Sequence, residues 1–127
     1  MVPPTILQIL PRLVTGGVER GTVETVAALT KAGWKALVAS EGGAMVHEVE
    51  AAGGTHITLP LASKNPFTIW RNADALAAII RQYKVDIVHV RSRAPAWSTY
   101  FAAQRTGCHF ITTFHNAYGA TNALKRT

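Results

Sequence analysis

Thr5-Ile6-Leu7-Gln8-Ile9-Leu10-Pro11-Arg12-Leu13-Val14-Thr15-Gly16-Gly17-Val18-Glu19 is the stretch on which the fold turns. A short apolar, β-branched run at 5–10 gives way to a loop with paired glycines. An amphipathic segment at 18–31 follows, with Val23, Val26 and Ala27 on one face and Gly33 as the helix stop. The same alternation continues along the chain. Runs at 35–40, 55–59, 86–90 and 110–114 read as strands. Their near-continuous apolar character suits strands buried on both faces of a parallel sheet. Segments 45–52, 66–83 and 95–105 read as helices. Segment 66–83 carries Ile69, Ala73, Leu76, Ala77 and Ile80 at helical spacing, with Asn65 as its cap and Pro66 at its first position. A β-α-β-α-β-α-β-α-β order predicts an α/β, Rossmann-like three-layer domain. The expected strand order is 3-2-1-4-5. Residues 116–127 read as a loop and the beginning of another helix, which suggests a piece of something longer.

Bulk properties narrow the class. The 127 residues suit one domain, and 48% hydrophobic against 16% charged residues is a globular composition. A single cysteine, Cys108, excludes an internal disulfide and a multi-cysteine metal site, and it suits a reducing cytoplasm. No apolar run approaches the roughly 18 residues of a membrane span. The N-terminus lacks the basic region of a signal peptide. The formal charge of +6 suits anionic partners, whether phosphate, nucleic acid or an acidic membrane. The basic residues are scattered, which argues against a polybasic lipid anchor.

In an open α/β sheet a ligand sits beyond the carboxyl ends of the strands, where the strand order reverses. With the order 3-2-1-4-5 the reversal lies between the first and fourth strands. The loops there are 11–17 and 91–95. Glycines at 16 and 17 permit positive φ and close backbone approach, and the following helix start aims N–H groups and a positive dipole end at an anion such as a diphosphate. An unliganded tight turn would use the same glycines. Arg91 and Arg93, in Arg91-Ser92-Arg93-Ala94-Pro95-Ala96-Trp97, place two guanidinium groups near another helix start, where only a visiting anion favours them. Solvated surface arginines are the plain alternative. His115 follows the fifth strand at Thr113-Phe114-His115-Asn116, where an imidazole can bind a sugar hydroxyl or relay a proton, or simply bond backbone. His89, inside the fourth strand, is expected to be buried and satisfied. No HExxH, CxxC or GxxxxGK[ST] pattern occurs, so neither a metal site nor a P-loop is expected. Glu41, just beyond the second strand, occupies roughly the place of a ribose-binding acid, which keeps a dinucleotide (NAD-type) binding domain of an oxidoreductase open. The charge keeps open a non-catalytic basic binding module, although no nucleic-acid-binding motif is present.

The chain resembles the amino-terminal domain of retaining, family-four-type glycosyltransferases of GT-B architecture. The resemblance rests on Gly16-Gly17-Val18-Glu19, on Leu29-Thr30-Lys31-Ala32-Gly33-Trp34, on Asp86-Ile87-Val88-His89-Val90-Arg91-Ser92-Arg93 and on Thr112-Thr113-Phe114-His115. It covers essentially the whole length. The loop of Arg91 to Trp97 is similar to bacterial members that build lipopolysaccharide or other envelope glycans. The resemblance implies a hexosyltransferase-type enzyme that moves a sugar from a nucleotide sugar to a glycan or lipid-linked acceptor, with retention and without a metal or other cofactor. It implies that Gly16 and Gly17 face the donor diphosphate. His115 would stand at the reacting carbon, and Glu19, Arg91, Ser92, Arg93 and Asn116 on the acceptor side. The family's E-x7-E element lies in a carboxy-terminal domain, and this chain has no glutamate after Glu50. Residues 1–127 are therefore expected to be a partial acceptor-side domain, inactive alone. A cytoplasmic location is expected, with peripheral association at the inner membrane face open to the intact enzyme. Exposed surfaces of a truncated sheet leave homo-oligomerisation open.

Overall fold

Strand and helix alternate without exception in the computed structural model, which describes residues 3–14 and 16–113. The elements are β1 (Thr5–Ile9), α1 (Gly17–Lys31), β2 (Lys35–Ser40), α2 (Val46–Ala51), β3 (Thr55–Thr58), α3 (Pro66–Tyr83), β4 (Ile87–Val90), α4 (Ala96–Thr106) and β5 (His109–Thr112). All five strands are parallel, in the order β3-β2-β1-β4-β5. The expected Rossmann-like fold and strand order are those observed.

Period-two alternation divides the strands between two cores. Leu7 and Ile9 of β1, Leu37 and Ala39 of β2 and Val88 and Val90 of β4 pack with Leu76, Ala77 and Ile80 of α3 and Ala102 and Ala103 of α4. On the other face Leu10, Ala36 and Val38 meet Val26 of α1 and Val49 of α2. Each face of the sheet is thus covered by one pair of helices, which is why the strands read as nearly unbroken apolar runs.

Local chemistry sets the helix ends. Asn65 Oδ1 accepts from the N–H groups of Phe67 at 2.8 Å and Thr68 at 3.4 Å, and Pro66 holds the first helical position of α3. Gly107 closes α4 in the left-handed region at φ 73°. Lys84 closes α3 at φ 54°, a place where glycine would be expected from sequence. The fifth strand begins one residue earlier than expected, at His109, because its N–H bonds the Asp86 carbonyl at 3.2 Å. Asp86 itself stands outside β4, and its carboxylate accepts the Thr5 N–H at 2.8 Å.

Candidate functional site

The first loop is built to be rigid. Leu13 N–H bonds the Gly42 carbonyl at 2.9 Å, Met45 N–H bonds the Leu13 carbonyl at 2.9 Å, and Glu41 N–H bonds the Pro11 carbonyl at 2.8 Å. The loop after β2 therefore braces the loop after β1. Gly43 makes this fit: its φ is 143°, and a Cβ there would stand 2.3 Å from the Leu13 carbonyl oxygen. The brace continues through side chains. Glu41 Oε1 lies 3.7 Å from Arg12 Nε, and its Oε2 accepts the Ala62 N–H at 3.0 Å.

A crevice of about 490 Å³ opens at this edge of the sheet. The β1–α1 loop contributes Leu10, Pro11, Arg12 and Val14, and the first turn of α1 contributes Val18 and Glu19. Ala62 and Lys64 come from the β3–α3 loop, and Ser92 and Ala94 from the β4–α4 loop. The crevice thus lies at the strand-order reversal, as expected.

Gly16 and Gly17 are not among the residues lining the crevice, whose lining resumes at Val18, and neither adopts the expected positive φ. Gly16 caps α1 with φ 166° and ψ 173°, an extended conformation open to any residue. The nearest atom to a Cβ at Gly16 would be Glu19 Oε1 at 2.6 Å, the movable tip of a flexible side chain. Glu19 thus leans back over the helix start, where a carboxylate complements the dipole. Gly17 is the first residue of α1, and a Cβ there would meet nothing within 4 Å among the described residues. The protein itself does not need a glycine at 17, whereas a ligand reaching the α1 backbone would. Gly16 offers no side chain to cap α1, and an anion reaching the first-turn N–H groups would have to displace the Glu19 carboxylate from this end of the helix.

Arg91 and Arg93 part company. Arg93 is exposed. Arg91 is buried and turns beneath α1, where Nε donates to Gln8 Oε1 at 2.7 Å and Nη2 to Thr25 Oγ1 at 3.0 Å. Gln8 in turn donates to the Thr22 carbonyl at 3.3 Å. Gly21 faces the guanidinium, and a Cβ there would make an ordinary contact 3.7 Å from Arg91 Nη1. Burial lowers the guanidinium pKa below its ordinary value. Arg91 therefore ties the end of β4 to α1, and of its loop only Ser92 and Ala94 line the crevice. His89 is half-buried rather than fully buried, and its Nε2 hydrogen-bonds Thr113 Oγ1. His115 and Asn116 lie outside the described residues.

Two cations escaped the sequence reading. Arg12 stands four residues before the glycine pair and was legible as part of that loop. Lys64 sits in the loop after β3, which reaches the crevice only once the third strand is placed beside the second. Among the described residues no cluster of three His, Cys, Asp or Glu side chains is arranged to hold a metal ion. No helix among them is long and apolar enough to cross a membrane.

A doubly wound parallel sheet with an anion-ready helix start at its switch point defines a class of nucleotide- and sugar-handling domains. Residues 15–127 match the Glycosyltransferase Family 4 domain, and the chain belongs to that family. It is similar to a glycosyltransferase from Rickettsia africae at 48% identity and a TM-score of 0.83, over 98% of this chain and 33% of that one. The chain spans about a third of that enzyme's length. MurG from Acinetobacter baumannii shares the fold at 18% identity and a TM-score of 0.68, over 98% of this chain and 39% of MurG. The C-terminal domain of a Pyrococcus furiosus hydrogenase does so at 13% identity and a TM-score of 0.63, over 87% and 90% of the two chains. No curated protein sequence matches.

Proposed function

We propose that the chain is the acceptor-side domain of a retaining glycosyltransferase that transfers a hexose from a nucleotide sugar to an envelope glycan or lipid-linked acceptor. The open space at Gly17, at the start of α1 and beside the crevice, carries this reading. A diphosphate there receives the first-turn N–H groups of α1, and Arg12 and Lys64 add positive charge. Catalysis rests on holding donor and acceptor in line and stabilising the departing diphosphate, with no metal required. Glu19, Ser92 and Arg93 shape the acceptor side. The family resemblance further supports His115 near the reacting carbon and Asn116 on the acceptor side, both outside the described residues. Arg91 acts through its hold on β4 and α1. The grip on the nucleotide belongs to a carboxy-terminal domain, so the 127 residues alone do not turn over. The intact enzyme works in the cytoplasm. An NAD-type reading would need Glu41 to leave the Ala62 N–H and the Arg12 guanidinium, just as diphosphate binding would draw Arg12 away from Glu41.

The test is a graft. The chain replaces the matching third of the Rickettsia africae enzyme, and release of nucleoside diphosphate is followed over a panel of nucleotide sugars and glycan acceptors. Turnover by the graft, its loss in Gly17→Val and silence of the isolated chain are expected. Turnover by the isolated chain would overturn the partial-domain reading. Full activity of Gly17→Val would remove Gly17 from the site.

A further inference from the structure

Glu41 stands where three loops of the crevice edge meet, and sugar transfer as drawn above leaves its charge unused. Its own place is fixed by backbone. The Glu41 N–H bonds the Pro11 carbonyl at 2.8 Å, and the carbonyl of the next residue, Gly42, accepts the Leu13 N–H at 2.9 Å. From there the carboxylate reaches in two directions. Oε2 accepts the Ala62 N–H of the β3–α3 loop at 3.0 Å, and Oε1 lies 3.7 Å from Arg12 Nε in the β1–α1 loop. Arg12 and Lys64 are the cations that line the crevice, and Ala62 precedes Lys64 by two residues. The loop that carries Lys64 is anchored at either end. Asn72 Nδ2 donates to the Pro60 carbonyl at 3.0 Å, and Asn65 caps α3. Between these anchors the hold on the loop is Glu41.

The two contacts of the carboxylate differ in strength. Its bond to a backbone N–H is charge-assisted and at full bonding distance. The ion pair is longer, with side chains 63% and 32% exposed, so water and salt screen it. Glu41 therefore keeps Ala62 and yields Arg12 to an anion of higher charge. We infer that Glu41 is the positioning residue of the anion site: it holds the Lys64 loop at the crevice and parks Arg12 until an anion draws it in. The inference rests on the reading that this crevice takes a diphosphate. It separates two substitutions at one position. Glu41→Gln keeps an oxygen for the Ala62 N–H but no charge for Arg12, whereas Glu41→Ala gives up both.

The 127-residue chain and its variants are titrated with inorganic pyrophosphate at low salt and followed by amide NMR. Glu41→Gln should bind about threefold more tightly than wild type, because Arg12 no longer has to leave a carboxylate. Glu24→Gln changes the net charge equally, but Glu24 is exposed on α1 and does not line the crevice. It should leave the dissociation constant unchanged, and an equal tightening there would overturn the inference. Lys64→Gln should weaken binding about threefold in wild type and in Glu41→Gln, and by much less in Glu41→Ala, where the loop is released. Without ligand, the Ala62 amide should exchange about tenfold faster in Glu41→Ala than in wild type or Glu41→Gln. Unchanged Ala62 exchange in Glu41→Ala, or one Lys64→Gln effect in all three backgrounds, would overturn the role of Glu41 and leave the site standing. Absence of pyrophosphate binding by every chain would overturn the site itself, and the role with it.

Discussion

Single residues separate ligand chemistry from architecture. Gly17 and Gly43 make opposite predictions. Gly17→Val should leave thermal stability within about 0.5 kcal/mol, because its Cβ meets no atom of the described residues within 4 Å, while abolishing turnover of the graft. Gly43→Ala should cost more than about 2 kcal/mol, since φ 143° and the Leu13 carbonyl both oppose a side chain. Denaturant melts check both. Arg91→Met leaves the fully buried Gln8 Oε1 without its donor, and a loss of about 1–3 kcal/mol is expected. Adding Gln8→Met should recover part of it, because removing both partners is milder than orphaning one. The glycine pair at 16 and 17 was legible as the turn into α1, but its backbone was not: sequence suggests positive φ, whereas Gly16 is extended and Gly17 begins the helix. The direction of Arg91 was equally hidden, because it depends on Gln8 and Thr25, which are polar residues on faces that periodicity marks only as buried.

Elements were legible to within a residue or two. The strongest local signals, Asn65-Pro66 and the apolar stripe of α3, bound that helix just where sequence places it. Asn65→Ala should destabilise by about 1 kcal/mol through loss of the cap to Phe67 and Thr68. The end of β5 shifted because strand ends obey neighbouring hydrogen bonds, here Asp86 to His109, rather than composition. The pairing of β2 with β3 adds a titratable contact invisible to spacing rules. Ser40 Oγ accepts the Gly42 N–H at 2.9 Å and lies 2.7 Å from His56 Nε2. Burial lowers the His56 pKa, and Glu50 opposes this more weakly. A base whose folded pKa is lowered adds stability above the unfolded value of about 6.5, and that stability is lost as pH falls through the folded value. Melts from pH 7.5 downward should show wild type losing more stability than His56→Gln; equal losses would exclude His56.

At the scale of the whole molecule, alternation of strand and helix was enough to place the switch point, since right-handed crossovers leave few topologies. Family membership agrees with that placement. The contribution of Lys64 was not legible, because the crevice unites loops remote in sequence. The central claim is that the start of α1 at Gly16-Gly17 receives a diphosphate. The direct measurement is an amide NMR titration of the isotopically labelled chain with inorganic pyrophosphate, carried to about ten times a millimolar dissociation constant. Saturable shifts at Gly17, Val18 and Glu19, absent from Gly17→Val with the rest of its spectrum in place, are the predicted result. An unchanged spectrum at those amides, or equal shifts in the valine variant, would contradict it.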